Sequence, residues 1–216
     1  MAIKTLLFDL DGTLIDTNEL ILQSFLHTFG KYFPDRQYSR EDILPFNGPT
    51  LHESFSSVNP DRAEEMIAEY RKFNHEKHDE LVEEYEGVYE TVERLHEQGY
   101  KLAIVTTKIR KTALMGLKLT GLDQFFDVVI GLDDVTKAKP DPEPLEKALA
   151  ALGASKETAM MIGDSHYDVQ AGKNLGIPTA IVGWSIKGEE NIRSYQPDYI
   201  LSNMRDLLAI IGADES

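Results

Sequence analysis

Short apolar stretches alternate with helical stretches along the sequence after Gly87, and this alternation limits the possible folds more than any other feature. The apolar stretches have strand length, and the stretches between them repeat apolar residues at helical spacing. Strands are predicted at 101–106, 126–131, 159–162, 179–182 and 199–201, and helices at 91–98, 111–119, 143–152, 168–175 and beyond 201. Strands joined through helices form right-handed crossovers and lie parallel. The sequence therefore predicts an α/β fold, with helices on both faces of a parallel sheet.

A first strand is predicted near residue 6, and an all-helical region follows it. The apolar run 6–8 ends in Asp9-Leu10-Asp11-Gly12, and only helical patterns occur from there to about residue 81. Helix-start signals lie at Asp16 or Thr17, at Ser39 and at Thr50. Such a block between two strands indicates an insertion that can close over a site. The predicted domains are a catalytic core of residues 1–15 and 82–216 and a helical cap of residues 16–81.

The composition excludes several classes of protein. The 216 residues are 42% hydrophobic, which is ample for a buried core, but no apolar run is long enough to cross a bilayer. The chain has no cysteine, which excludes disulfides and thiolate chemistry and fits a reducing cytoplasm. A net charge of −15 argues against nucleic acid or an anionic membrane as a partner. We expect a cytoplasmic protein that acts on a small molecule, either as a monomer or as a homodimer.

Polar residues follow the predicted strands at their carboxyl ends, where ligands bind in sheets of this kind. They are Asp9 and Asp11, Thr106 and Thr107, Lys139 in Lys139-Pro140-Asp141-Pro142, and Asp164 and Asp168 in 163–168. Side chains alternate along a strand, so Asp9 and Asp11 are predicted to point the same way, and a divalent cation between them would offset their repulsion. The set contains a nucleophile, a proton donor, metal ligands, a hydroxyl donor and a lysine. Phosphoryl transfer requires all of these groups.

These motifs, in this order and spacing, resemble the four motifs of the haloacid dehalogenase (HAD) superfamily of phosphatases. The resemblance covers the core, about two thirds of the chain, and the helical block falls where subclass I members carry their cap. It implies a HAD-like Rossmannoid sheet with an inserted all-α cap. It also implies that Asp9 attacks phosphorus to form an aspartyl-phosphate, and that Asp11 protonates the leaving oxygen and later activates water. Asp9, Asp11, Asp164 and Asp168 are the ligands expected for Mg²⁺, with Asp168 acting directly or through water.

The resemblance also implies a set of substrate-binding groups. Thr106, Thr107 and Lys139 are expected to hold the phosphoryl group, and the segment Gly48, Pro49 and Thr50 could present cap amides to the substrate. Lys108 and Arg110 are candidate cations for an anionic leaving group, although lysines such as Lys108 are more often solvated. Purely structural interpretations stay open: Asp-x-Asp-Gly is also a common turn, and Asp168 could be a helix N-cap.

Within the superfamily the chain is most similar to the phosphoglycolate-phosphatase-like branch and, inside that branch, to inorganic pyrophosphatases. The resemblance therefore implies hydrolysis of pyrophosphate to phosphate, with phosphoglycolate or another small phosphate monoester as the alternative. A sugar-phosphate mutase is less favoured, because Ile21 stands where the related mutases carry a cap histidine. A non-catalytic phospho-aspartate switch is also less favoured, because receiver domains have no helical cap after the first strand.

Overall fold

The chain forms two compact units in the computed structural model, which describes residues 2–213. The larger unit contains the described residues up to Asp16 and from Glu83 onward, and the smaller unit is Thr17–Val82. The domain limits predicted above, between residues 15 and 16 and between 81 and 82, lie one residue from these limits. That the smaller unit works as a cap stays a proposal.

The larger unit is built on a six-stranded parallel sheet, which confirms the predicted α/β fold. The strands of the chain are β1 (Thr5–Phe8), β2 (Ile15–Asp16), β3 (Glu83–Glu84), β4 (Lys101–Val105), β5 (Val128–Ile130), β6 (Ala159–Gly163), β7 (Thr179–Val182) and β8 (Tyr199–Leu201). The order across the sheet is β5-β4-β1-β6-β7-β8. Chain order therefore changes direction at β1, which is where sheets of this type bind their ligands.

Ten α-helices occur among residues 2–213. They are α1 (Asn18–Tyr32), α2 (Arg40–Ile43), α3 (Leu51–Val58) and α4 (Ala63–Leu81) in the smaller unit, and α5 (Val88–Glu97), α6 (Arg110–Leu119), α7 (Glu143–Leu152), α8 (His166–Leu175), α9 (Glu189–Ser194) and α10 (Asp206–Ile211) in the larger one. The predicted helices 91–98 and 168–175 begin earlier in the structure, at Val88 and His166. None of the helices in this range has the length and apolar character needed to cross a membrane.

β1 is central because its side chains are apolar on both faces. Leu6, Leu7 and Phe8 are fully buried, and β1 pairs with β4 on one side and β6 on the other. A strand covered on both faces needs a continuous apolar run instead of alternation, and 6–8 is such a run. Asp9 follows β1 directly, so its carboxylate lies in the middle of the carboxyl edge of the sheet.

A short antiparallel pair, β2 with β3, was not predicted. Ile15 lies opposite Glu84, and Asp16 lies opposite Glu83. Each strand has only two residues, and glutamate disfavours strands, so no sequence pattern marks the pair. The glutamates are exposed as expected, but their backbone joins the chain that leaves the larger unit to the chain that returns to it.

The smaller unit has an aromatic core centred on Phe25. The Phe25 ring is almost fully buried, and its centroid lies 4.8–5.8 Å from those of Phe29, Phe46, Phe55 and Tyr70. Aromatic contacts of this kind add to the stabilisation that comes from area burial. The unit thus has an apolar core of its own.

Helix-start predictions in the smaller unit had different outcomes. The capping boxes at Ser39 and Thr50 are confirmed, since each hydroxyl accepts the N–H of the third helical residue. Thr17 does precede α1, but its side chain makes no capping hydrogen bond, so that part of the prediction was wrong.

Replacing Phe25 with Ala should destabilise the smaller unit by about 3–5 kcal/mol, because a large buried ring is removed from a well-packed core. Hydrogen exchange of the α1 and α4 amides measures this free energy of opening. Leu44→Ala is the control, since Leu44 is 38% exposed and should change the value by less than about 0.5 kcal/mol. A loss below about 1 kcal/mol for Phe25→Ala would contradict the role of this core.

Candidate active site

Three buried carboxylates meet at the carboxyl edge of the sheet. Asp9, Asp164 and Asp168 each offer a carboxylate oxygen, and these oxygens lie within 4.8 Å of one another. Asp9 follows β1, where its N–H donates to the carbonyl of Ile162 at 2.8 Å. Asp164 directly follows β6, and Asp168 lies in the first turn of α8. Two neighbouring strands therefore bring Asp9 together with two acids that lie 155 or more residues further along the sequence.

Asp168 takes part in the capping box of α8, and it is not the N-cap. The N-cap is Ser165, and the Oδ2 atom of Asp168 accepts hydrogen bonds from the Ser165 N–H at 3.1 Å and hydroxyl at 2.7 Å. The N-cap interpretation was wrong because the helix begins two residues earlier than the sequence suggested. Gly163 lets this carboxyl lie close, since a Cβ at residue 163 would collide with the Asp168 side chain.

Lys139 is the cation that bridges two of the acids. Its Nζ lies 2.9 Å from Asp9 Oδ1 and 2.6 Å from Asp168 Oδ1, and it donates to the carbonyl of Val105 at 2.7 Å. The ammonium is buried, and these three bonds use all its donors. Burial alone would lower the pKa of Lys139, but the charges of Asp168 and Asp9 outweigh it and raise the pKa above its ordinary value. Lys139 is therefore a permanent positive charge in the site.

One lysine does not balance three buried acids. Burial raises the pKa of Asp9 to about 7, and the charges of Asp168 and Asp11 add to this effect while Lys139 opposes it. Burial also raises the pKa of Asp164 well above its usual range, with further contributions from Asp168 and Asp9. The site thus has excess negative charge and only oxygen ligands. A hard divalent cation fits such a donor set.

Asp11 lies apart from the three-acid group. Its charge acts on Asp9, but its Oδ1 atom is 2.5 Å from Lys108 Nζ, and both side chains are about 15% exposed. Asp11 is thus paired with Lys108 and lies outside the three-acid group, and its place among the metal ligands stays a prediction. The alternative that Lys108 is solvated was wrong. The one indication of this contact in the sequence was the position of Lys108, two residues after the threonine that follows β4.

Thr106 and Arg110, which follow β4, lie in different surroundings. Thr106 is buried, and its Oγ1 accepts the N–H of Lys108 at 3.1 Å, so the hydroxyl hydrogen is left to donate. Thr107 comes next and is partly exposed. Arg110 points elsewhere, since its guanidinium donates to the carbonyl of Val129 and lies 3.6 Å from Asp134. Of the two candidate cations, the structure brings only Lys108 to the acids.

Gly48, Pro49 and Thr50 belong to the smaller unit. They form the turn that leads into α3, and Thr50 is the capping residue of that helix. The hydroxyl of Thr50 accepts the N–H of Glu53, and Glu53 accepts the N–H of Thr50 in return. The turn is therefore well defined within its own unit, and its contact with substrate stays a prediction.

Two residues near Asp164 were missed by sequence reasoning. Ser185 follows β7 and donates its hydroxyl to the main-chain oxygen of Asp164 at 2.7 Å. Lys187 lies two residues further on, and its charge opposes the rise in the pKa of Asp164. Serine and lysine in a loop carry no motif signal, so only the pairing of β6 with β7 reveals them.

Comparison with known proteins agrees with this geometry. The family model of haloacid dehalogenase-like hydrolases matches residues 6–182. The chain belongs to the haloacid dehalogenase-like hydrolase family. The predicted family and enzyme class are thereby confirmed.

Individual relatives cover nearly the whole chain. The pyrophosphatase PpaX of Halalkalibacterium halodurans is 61% identical over 212 residues, 98% of each chain. A HAD-like family hydrolase from Streptococcus pneumoniae is 30% identical, with a TM-score of 0.85 over 96% of this chain and 98% of that one. A predicted phosphoglycolate phosphatase from Haemophilus somnus shares the fold at 24% identity, with a TM-score of 0.83 over 96% and 97% of the two chains.

Because the pKa of Asp9 is raised in the folded protein, we expect the free energy of unfolding of the metal-free protein to depend on pH. Between its unfolded value of 3.8 and its folded value of about 7, the folded protein holds more protons than the unfolded chain, so the free energy of unfolding falls as pH rises. Asn at this position mimics the neutral acid. In EDTA at pH 8, Asp9→Asn should therefore melt several degrees higher than the parent, and the difference should vanish towards pH 4.

Thermal unfolding of the two proteins at several pH values measures this difference, and other titrating groups cancel in the comparison. Asp35→Asn is the control, because Asp35 is exposed and should give no such trend. A metal-free Asp9→Asn protein that melts below the parent at pH 8 would contradict the excess of buried negative charge.

Proposed function

We propose that the protein is a Mg²⁺-dependent phosphohydrolase that converts inorganic pyrophosphate to phosphate through a phosphorylated Asp9. The single observation that carries the choice of substrate is the contact between Lys108 and Asp11. It places a cation beside the proposed acid–base residue, where the leaving group of the substrate would lie. The pyrophosphatase PpaX that is 61% identical over nearly the full length supports the same substrate.

Asp9, Asp164 and Asp168 would hold the Mg²⁺ ion. Their oxygens form a hard donor set, and their combined charge exceeds that of Lys139. Both oxygens of Asp168 already accept hydrogen bonds, from Lys139 and from Ser165, so we assign it an indirect contact through water. When bound, the cation keeps Asp9 ionised and offsets negative charge on the phosphoryl group.

In the first step, an Asp9 carboxylate oxygen attacks one phosphorus of pyrophosphate. A bond forms between Asp9 and that phosphorus, and the bond to the bridging oxygen breaks. The Thr106 hydroxyl can donate to an oxygen of the transferring phosphoryl group. Lys139 exchanges one of its present hydrogen bonds for one to this group and neutralises its negative charge. Thr107 and nearby backbone amides complete the cradle. Such placed donors stabilise the charge that develops in the transition state.

Asp11 serves both steps by moving one proton. It donates the proton to the bridging oxygen as phosphate leaves, and it then takes a proton from the water that attacks phosphorus in phospho-Asp9. The second step releases another phosphate and restores Asp9. Division of one displacement into two is the general benefit of a covalent intermediate.

Lys108 favours a leaving group that is itself an anion. Phosphate leaves pyrophosphate with a negative charge, and a cation beside Asp11 can form a charge-assisted hydrogen bond with it. A neutral alcohol offers no such partner. Phosphoglycolate is the second candidate, because its carboxylate could use the same lysine. Mutase activity is disfavoured by Ile21, whose apolar side chain packs against the core of the smaller unit.

The smaller unit would act as the cap, and the amides of Gly48 to Thr50 would contact the leaving phosphate. We place the reaction in the cytoplasm, which the absence of cysteine supports.

The test compares kcat/KM for pyrophosphate, phosphoglycolate, several sugar phosphates and p-nitrophenyl phosphate, each with Mg²⁺ and with EDTA. We expect pyrophosphate to be the best substrate by at least about tenfold, a difference of about 1.4 kcal/mol in transition-state binding, and we expect EDTA to stop turnover. If phosphoglycolate is preferred by about tenfold, the substrate assignment is wrong while the mechanism stands.

The same assay with Lys108→Met isolates the contact that carries the proposal. Loss of one charge-assisted hydrogen bond should lower kcat/KM for pyrophosphate by about 10- to 100-fold, and that for a sugar phosphate, whose leaving group is a neutral alcohol, much less. The matched control is Lys111→Met, because Lys111 is an exposed lysine three residues away. Equal losses on both substrates would show that Lys108 does not act on the leaving phosphate.

A further inference from the structure

The turn between β7 and α9 contains a buried polar group that the proposed mechanism does not use. Ser185 is only 6% exposed, and its hydroxyl donates to the main-chain oxygen of Asp164 at 2.7 Å, with Asp164 Oδ2 at 3.4 Å. Its oxygen also accepts the N–H of Lys187 at 3.2 Å. Ser185 therefore connects the turn of one strand to a carboxylate presented by its neighbour.

Asp164 also lies close to Gly12. A Cβ at residue 12 would lie 2.9 Å from Asp164 Oδ2, and the backbone there has φ of +74°, which other residues rarely adopt. The Oδ2 atom thus has both the Gly12 backbone and the Ser185 hydroxyl as close neighbours. Close neighbours of this kind restrict how the carboxylate can rotate.

We infer that Ser185 is a positioning residue for Asp164 and thereby sets the affinity of the three-acid site for a divalent cation. The inference rests on the metal-binding role of Asp164 in the proposed function. Groups that orient a metal ligand typically contribute 10- to 100-fold to metal affinity or activity. Without the hydroxyl, the Asp164 carbonyl loses a donor in a buried setting, and the carboxylate loses one of the contacts that restrict it.

Lys187 supports this arrangement through its backbone. Its main-chain N–H donates to the Ser185 oxygen, which leaves the hydroxyl hydrogen directed at Asp164. The turn thus keeps Asp164 oriented.

The experiment measures Mn²⁺ binding to the full chain without substrate, by calorimetry or by electron paramagnetic resonance. Ser185→Ala should weaken binding by about tenfold, and Ser185→Thr, which keeps the hydroxyl, should restore it to within about threefold. Ser194→Ala is the matched control. It removes another hydroxyl-to-carbonyl bond of 2.7 Å on the following helix, to Asn191, and should leave Mn²⁺ binding unchanged.

Steady-state kinetics distinguish a loss of Asp164 positioning from a general loss of protein structure. In Ser185→Ala the Mg²⁺ concentration for half-maximal rate should rise by about tenfold, while kcat at saturating Mg²⁺ should stay within about twofold of the parent. If that variant does not fold, Ser185→Cys carries the same prediction, because a thiol of similar size is only a weak donor. Mn²⁺ affinity within about twofold of the parent in the folded variant would overturn the inference.

The remaining outcomes distinguish this inference from the proposed function. A parent protein that binds no Mn²⁺ would overturn the metal site and this role together. Weakened Mn²⁺ binding in Ser185→Ala, with no hydrolysis of pyrophosphate by the parent, would remove the proposed substrate and support the role of Ser185. Equal weakening in Ser185→Ala and Ser194→Ala would overturn the role of Ser185.

Discussion

The structure depends on holding three carboxylates, Asp9, Asp164 and Asp168, in a buried site that contains one bonded lysine. Bringing like charges out of water is costly unless positive charge accompanies them. Lys139 supplies one charge and bridges two of the acids, and the proposed divalent cation would supply what is missing. The excess negative charge is therefore unfavourable in the metal-free protein, and a bound cation would offset it.

The sheet is what makes this arrangement possible. β1 lies between β4 and β6 because it is apolar on both faces, so the residues that follow these strands converge on one point. Gly12 and Gly163 permit the close approach of Asp164 and Asp168, where a Cβ would collide. Acids from distant parts of the sequence are therefore brought together by the ordinary rules of parallel sheets and not by any long-range signal.

Much of this could be predicted from the sequence. The parallel sheet followed from strand and helix periodicities, and the acids of the site followed from polar residues at strand ends. The β2–β3 pair could not be predicted, because two-residue strands leave no pattern. The Lys108–Asp11 and Ser185–Asp164 contacts could not be predicted either, since they depend on which strand ends are neighbours and on how side chains turn. The interpretation of Asp168 as an N-cap was wrong for another reason: its place in the capping box depends on α8 starting at His166.

The most direct test of the central claim is to trap the covalent intermediate. The enzyme is mixed with Mg²⁺ and pyrophosphate labelled with radioactive phosphorus, quenched with acid within one turnover, digested, and analysed by mass spectrometry. We expect one labelled peptide, containing Asp9, whose acyl phosphate is reduced by borohydride to homoserine at that position. Turnover with no labelled peptide, and undiminished turnover in Asp9→Asn, would contradict it.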